Sequence, residues 1–471
     1  MDRSEEMRDG NIGRLLWSFS WPAIIAMLVN SLYNVIDRIF VGRGIGSLAI
    51  AATTVAFPIM IILMAVSILI GVGATALISI RLGEQRKEDA EKVAGNGIAM
   101  IILLPAVLAI IFLLFAEPIL VAFGASAEVL PYAKDFTQII MLGSVFGSIS
   151  MGANNFIRAE GNPKMAMYTQ LLGAVVNTGL NYVFIFILGW GIKGSALGTV
   201  LAQMLSAAWV LSYFLSGRSL VKIRLKNLKP NWPILTGIMA IGFAPFAMQV
   251  ANSIQQLILN KTLMFYGGDM ALSAVGIMMS ISTLLFMPIL GLAQGAQPII
   301  GFNYGAQQYK RVKEIWKKAV LAGTCIAAAG YLAIHIWPEQ LTGLFSNDIA
   351  LTALTTHAML TFMAMFPIIG FQIISSTYFQ AVGKARQAAV LSLSRQVLFF
   401  IPLLLILPHF WGIEGVWRTA PIADTLSIML TAALIYREMR KLSENEDRPA
   451  YDHEATDNSQ ASGTLCSSES Q

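Results

Sequence analysis

Charged residues are scarce in this chain of 471 residues: Asp, Glu, Lys and Arg make up 13% of it, whereas a soluble domain usually carries about 25%. So few charges could not cover the surface of a soluble protein of this length. Residues of the apolar set AVILMFWYC make up 56%, and they fall in blocks of about 20, the length that crosses a bilayer as a helix. The composition therefore argues against a soluble enzyme and predicts a polytopic membrane protein.

Cysteine is also scarce, with Cys325 in an apolar block and Cys466 in a polar C-terminal region. Two cysteines so placed cannot build a disulfide framework or a four-ligand zinc site. The chain lacks a glycine-rich phosphate loop ending in Lys followed by Ser or Thr. His335, His357 and His409 are isolated and lie near the ends of apolar blocks or in loops. We therefore predict no enzyme activity, no resident cofactor and no ATP-driven step on this chain.

Twelve apolar runs are long enough to cross about 30 Å of hydrocarbon. Their backbone must be satisfied within each segment, so we predict helices rather than strands. Lys and Arg collect in the N-terminus, in the loops after even-numbered helices and in the C-terminal region. This bias predicts a bacterial inner-membrane protein with both termini in the cytoplasm, and no nucleic-acid partner. The predicted spans are approximately 15–37, 49–80, 93–115, 130–155, 165–188, 194–216, 234–259, 271–301, 319–336, 351–375, 388–407 and 415–436.

The sequence repeats itself at an offset of 222 residues, which aligns Asn30 with Asn252 and Gly83 with Gly305. Each unit contains six spans, so both units enter the membrane from the same side. The chain is thus predicted to be all-α, with two parallel six-helix lobes related by a pseudo-two-fold axis along the membrane normal. The predicted parts are a cytoplasmic N-terminus 1–14, an N-lobe 15–216, a cytoplasmic linker 217–233, a C-lobe 234–437 and a disordered cytoplasmic tail 438–471.

Polar side chains follow one face of the first helix in each lobe, at positions i, i+3, i+4 and i+7. The last position is Asp37 in helix 1 but Leu259 in helix 7. Helices 5 and 6 add polar positions whose repeat partners in the C-lobe are apolar. We therefore expect polarity that could bind an ion in the N-lobe only. The predicted cleft residues are Asn30, Tyr33, Asn34, Asn252, Gln255, Gln256 and Met279.

Each of these residues also has a simpler interpretation. Asp37 lies about 35 Å along a helix from Arg14, which also suits an acid at the outer interface. Asn and Thr in membrane helices can serve as interhelical hydrogen-bond partners, and methionine can fill a core. Glu160, between Arg158 and Lys164, is most simply a solvated ion-pair partner in a cytoplasmic loop. It has no acidic partner in the second repeat.

Two stretches, YNVIDRIFVG at 33–42 and RAEGNP at 158–163, complete a familiar pattern. With the twelve spans and the repeat, they resemble the multidrug and toxic compound extrusion (MATE) family over about residues 12–437. The resemblance implies a rocker-switch exporter in which an inward H⁺ or Na⁺ gradient drives the efflux of organic, often cationic, compounds. We expect it to act as a monomer in the bilayer.

The resemblance also implies the residues of an ion-coupling site. Relatives with a cation site in the first lobe use an acid on helix 1, two polar groups on helix 5 and a hydroxyl on helix 6. These positions are Asp37, Asn177, Asn181 and Thr199 here, and the resemblance favours a coupling role for Asp37. Asn181 stands where some relatives have a second acid, which departs from a Na⁺ site. Glu160 remains a candidate acid on the cytoplasmic side.

A flippase for a lipid-linked saccharide is the alternative function with the same architecture. Such a protein should have a basic cleft to hold phosphates, but the polar stripes of helices 1 and 7 carry no Lys or Arg up to Asp37 and Leu259. The stripes therefore favour a drug exporter over a flippase.

Overall fold

The computed structural model describes residues 3–345 and 348–446, and helices dominate them, with no β-strand within these ranges. Ten helices are long and apolar enough to cross a membrane, and a bent pair makes an eleventh span. The 74-residue helix Trp232–Gly305 contains two of the predicted spans. Gly268 divides them, because its φ of 62° and ψ of −160° are not helical. The described chain thus has twelve spans, which confirms the predicted fold class.

Helices 1 to 6 form the N-lobe and helices 7 to 12 form the C-lobe. The N-lobe helices are Ile12–Gly44, Ser47–Gly83, Lys87–Leu114, Leu130–Ala159, Pro163–Ile187 and Gly191–Leu215. The C-lobe helices are 232–267, 269–305, Tyr309–Ile336, the bent pair Ile349–Phe362 and Phe366–Ala381, Ala385–Trp411 and Ile413–Glu446. Shorter helices are Arg3–Asp9, Ala116–Ala122, Leu225–Leu228 and Pro338–Gly343.

The buried core is shared by both lobes at one end of the bundle and divided at the other. The shared cluster contains Met7, Ile78 of helix 2 and Phe302 of helix 8. Toward the other end, one cluster around Leu120 belongs to the N-lobe and another around Leu263 belongs to the C-lobe. We call the shared end the closed end. If the N-terminus is cytoplasmic, as its charges predict, this arrangement is outward-open.

Glycine allows helices 2 and 8 to meet at the closed end. A Cβ atom on Gly83 would lie 2.0 Å from the Phe302 carbonyl oxygen, and one on Gly305 would lie 2.1 Å from the Ile80 carbonyl oxygen. Gly83 and Gly305 are repeat partners, and so are Ile80 and Phe302. The two contacts are therefore equivalent under the predicted pseudo-two-fold axis.

The end of helix 12 corrects a predicted boundary, because residues 438–446 are helical rather than the start of a disordered tail. Glu438 is buried and accepts hydrogen bonds from Lys384 Nζ at 2.5 and 2.7 Å. It also accepts one from the Tyr378 hydroxyl at 3.2 Å. These contacts attach the last turns of helix 12 to the C-lobe. The rest of the predicted tail, 447–471, lies outside the described residues.

Candidate ion-coupling site

Four polar side chains from three helices of the N-lobe form one hydrogen-bond network. Asn181 Nδ2 of helix 5 donates to Asp37 Oδ1 of helix 1 at 2.5 Å. The same Asn181 nitrogen donates to Asn177 Oδ1, one turn earlier, at 3.0 Å. Asn177 Nδ2 donates to Thr199 Oγ1 of helix 6 at 3.1 Å. The structure thus brings together all four residues that the resemblance implied for a cation site.

The packing around Asn181 sets which end of its amide faces Asp37. Asn177, Asn181 and Thr199 are buried, and Asp37 is half-buried. Asn181 Oδ1 points toward Gly198 of helix 6, where a Cβ atom would lie 2.2 Å from it. This oxygen is buried without a hydrogen-bond partner among the described residues. The amide therefore presents its N–H group, and not its oxygen, to the Asp37 carboxylate.

The predicted cleft residues of helix 1 differ in their surroundings. Tyr33, one turn before Asp37, lies close to the Asp37 carboxylate and within hydrogen-bonding reach of Thr199. Asn30 and Asn34 are exposed, and Asn34 Nδ2 donates to the Asn30 carbonyl oxygen at 2.7 Å. Of the three, only Tyr33 adjoins the network; the side chains of Asn30 and Asn34 lie on the exposed face.

The C-lobe cleft residues are less alike than the sequence pattern suggests. Asn252 is half-buried and accepts a hydrogen bond from Gln396 Nε2 of helix 11 at 3.1 Å. Gln256 is exposed, and its Nε2 donates to Asn260 Oδ1 at 2.9 Å. Gln255 is half-buried. Met279 is also half-buried, and it packs against the C-lobe core, so its thioether contributes at least in part to core packing.

Glu160 is fully buried, with 0% of its surface exposed, so its interpretation as a solvated ion-pair partner is wrong. It accepts hydrogen bonds from the Tyr213 hydroxyl, from Ser219 Oγ at 2.5 Å, and from the backbone N–H groups of Leu220 and Val221 at 2.9 and 3.2 Å. These donors lie at the end of helix 6 and in the linker, which folds back over the loop after helix 4. Glu160 thus joins two segments that are distant in sequence.

The C-lobe contains a buried ion pair that sequence comparison missed. Arg395 Nε of helix 11 donates to Asp424 Oδ1 of helix 12 at 2.5 Å. The expectation that charge suited to ions is confined to the N-lobe is therefore wrong. The repeat alignment compared Thr199 with Pro421, one turn before Asp424, and so did not reveal it. The available signal was an acid in the middle of an apolar run.

The family model MatE matches this chain twice, at residues 22–183 and 245–406. The chain belongs to the MatE family. One match falls in each lobe, in agreement with the repeat and with the resemblance drawn from the two sequence motifs. Membership of this family makes the chain a membrane transporter rather than an enzyme.

Several relatives of this MatE family protein carry names that describe drug export. Multidrug export protein MepA of Staphylococcus aureus (strain N315) is 27% identical over 423 residues, which cover 90% of this chain and 93% of that protein. MepA of Staphylococcus saprophyticus is 26% identical over 418 residues, covering 89% and 92%.

Solved structures agree in fold. The structure of the MATE multidrug transporter DinF-BH has a TM-score of 0.84 and 38% identity, covering 90% of this chain and 95% of that one. The outward-facing conformation of a multidrug resistance MATE family transporter of the MOP superfamily has a TM-score of 0.89 over 94% of this chain and 99% of that one. Its identity of 24% supports a common fold only.

Proposed function

We propose that this protein exports organic cations from the cytoplasm in exchange for H⁺, and that Asp37 binds both in turn. The observation that carries the proposal is the network linking Asp37, the only acid of helix 1, to neutral groups on helices 5 and 6. The names of the relatives support multidrug export. We propose a monomer in the bacterial inner membrane, with both termini cytoplasmic.

The mechanism is competition for one carboxylate. An ionised carboxylate only accepts hydrogen bonds, whereas a protonated one also donates. When a proton reaches Asp37 from outside, the charge that attracts an organic cation is lost, and the bond from Asn181 Nδ2 is weakened. The cation then leaves through the open cleft. A rocker-switch movement of the lobes carries the protonated side chain to the cytoplasmic side, where it releases its proton.

The arrangement of Asn181 favours H⁺ over Na⁺ as the transported ion. A Na⁺ ion beside Asp37 would need oxygen ligands, but the Asn181 oxygen is turned toward Gly198 and the N–H group faces the carboxylate. Ligation of Na⁺ by this amide would require the side chain to turn over. Proton exchange at Asp37 needs no such rearrangement.

The flippase alternative finds little support. A cleft that holds lipid phosphates needs an excess of basic side chains, and Arg395 of the C-lobe is neutralised by Asp424. The relatives reported above are named as multidrug exporters. The network around Asp37 also has no evident use in moving an anionic lipid.

The experiment is efflux of a fluorescent organic cation from vesicles that contain the purified protein, with the H⁺ and Na⁺ gradients imposed separately. We expect the pH gradient alone to drive efflux. Efflux driven only by the Na⁺ gradient would reject H⁺ as the ion. Movement of a labelled lipid-linked saccharide without dye transport would reject drug export.

A further inference from the structure

Arg395 lies inside the C-lobe with part of its guanidinium group unused. Its Nε donates to Asp424 at 2.5 Å, but a guanidinium has five N–H donors. Among the described residues neither Nη group has a hydrogen-bond partner. Asp424 is the twelfth residue of helix 12, about 16 Å from the start of that helix, and so lies near the middle of a hydrocarbon layer of about 30 Å.

The surroundings of Arg395 place it on the inner side of helix 11. Its neighbour Gln396 is buried and bonds to Asn252, in the cleft stripe of helix 7. Leu398, by contrast, is 59% exposed on the outer side. The side chain of Arg395 is 23% exposed and that of Asp424 is 2% exposed. The π-helical turn Ser394–Phe400, which carries Arg395, is a feature frequent at functional sites.

The physical cost of such an arginine calls for a ligand. Unsatisfied N–H groups at membrane depth are expensive, and intramembrane charges usually pair or line a water-filled path. Asp424 fixes the guanidinium through Nε but leaves the Nη groups available. The planar fork of these groups matches the two oxygens of a carboxylate.

We propose that Arg395, oriented by Asp424, is a subsite for the carboxylate group of a transported compound. The protein would then accept zwitterionic compounds in addition to simple cations. This inference rests on the proposed function, because it adds an anion-accepting group to the same transporter. Arg395 is the residue that contacts the substrate, and Asp424 is a positioning residue.

The test uses two dyes of nearly the same shape: a zwitterionic rhodamine with a free carboxylate, and its ethyl ester, which is a cation. Binding to the purified full-length protein is measured by fluorescence polarisation. We expect wild-type protein to bind both dyes. In the double variant R395Q/D424N, which leaves no unpaired charge, the affinity for the acid relative to the ester should fall about tenfold or more, because a hydrogen-bonded charge is lost.

The matched control is Arg418→Gln, which removes another arginine paired with an acid, Glu414 at 3.4 Å, at the exposed start of helix 12. This variant should leave the acid-to-ester ratio unchanged. A second measurement needs no variant: benzoate should compete with the acid dye, but not with the ester, for wild-type protein.

Three results would overturn the subsite: no binding of the acid dye to wild-type protein, an unchanged ratio in the double variant, or no competition by benzoate. Equal weakening of both dyes in the double variant would mean that the ion pair is only structural. Failure of the proposed function has a different signature. It would be seen as normal proton-driven efflux by Asp37→Asn, whatever the ratio of the two dyes.

Discussion

Replacing Asp37 by Asn removes the charge of the proposed coupling residue and little else. The Asn side chain keeps an oxygen that can accept the bond from Asn181 Nδ2, now 2.5 Å from Asp37 Oδ1. A hydrogen bond to a charged group contributes about 1.5–3 kcal/mol and a neutral one about 0.5–1.5 kcal/mol. We therefore expect the variant to lose about 1 kcal/mol of folding stability and to remain folded.

The effect on binding of an organic cation should be larger. Two opposite unit charges 4 Å apart attract by about 4 kcal/mol at an effective dielectric constant of about 20, and by about 1 kcal/mol in bulk water. Asp37 is half-buried, so its environment lies between these limits. A loss of about 2 kcal/mol is about a 30-fold decrease in affinity.

The assay is dye efflux from vesicles under an imposed pH gradient, beside thermal unfolding of the purified protein. We expect Asp37→Asn to bind dye weakly and to show no proton-driven efflux, because Asn cannot take up a proton. The control is Asp135→Asn, the same chemical change at a surface acid that pairs with Lys193 at 3.2 Å. Near-normal proton-driven efflux by Asp37→Asn would refute the coupling role and restore the interpretation as an interfacial acid.

Three further changes test other parts of the account. Asn181→Asp places a second carboxylate beside Asp37, so dye efflux and thermal stability should become dependent on Na⁺; indifference to Na⁺ would contradict the role given to the Asn181 amide. Glu160→Gln should cost about 2 kcal/mol or more, since a buried charged acceptor is lost, and an unchanged unfolding temperature would argue against the linker contacts. Single cysteines test sidedness in a background without Cys325 and Cys466: Ala127→Cys should react with an impermeant maleimide from outside, and Lys87→Cys only after permeabilisation. The opposite pattern would invert the topology.

The sequence was sufficient for features that depend on periodicity and composition. Apolar runs located the spans, and the offset of 222 residues placed Gly83 opposite Gly305, where the two helices meet. The predicted gap between helices 7 and 8 was too wide, because Asn260 and Lys261 continue helix 7 and the break is confined to Gly268. Polar residues alone do not end a membrane helix.

Features that depend on which helices touch could not be predicted from periodicity. The network of Asp37 was expected only through the family resemblance, since spacing places a residue on a face but does not choose its neighbour. The donors to Glu160 come from the linker, more than 50 residues away. The pairing of Arg395 with Asp424 joins two helices whose relative rotation is set by packing throughout the C-lobe.

The most direct test of competition at one carboxylate is a count of protons. Dye is added to purified protein in weakly buffered detergent solution, at the pH where wild-type efflux is half-maximal, and the proton release per bound dye is measured. The account predicts proton release on dye binding by wild-type protein, and none by Asp37→Asn at dye concentrations that saturate it. Equal proton release by both proteins would contradict the account.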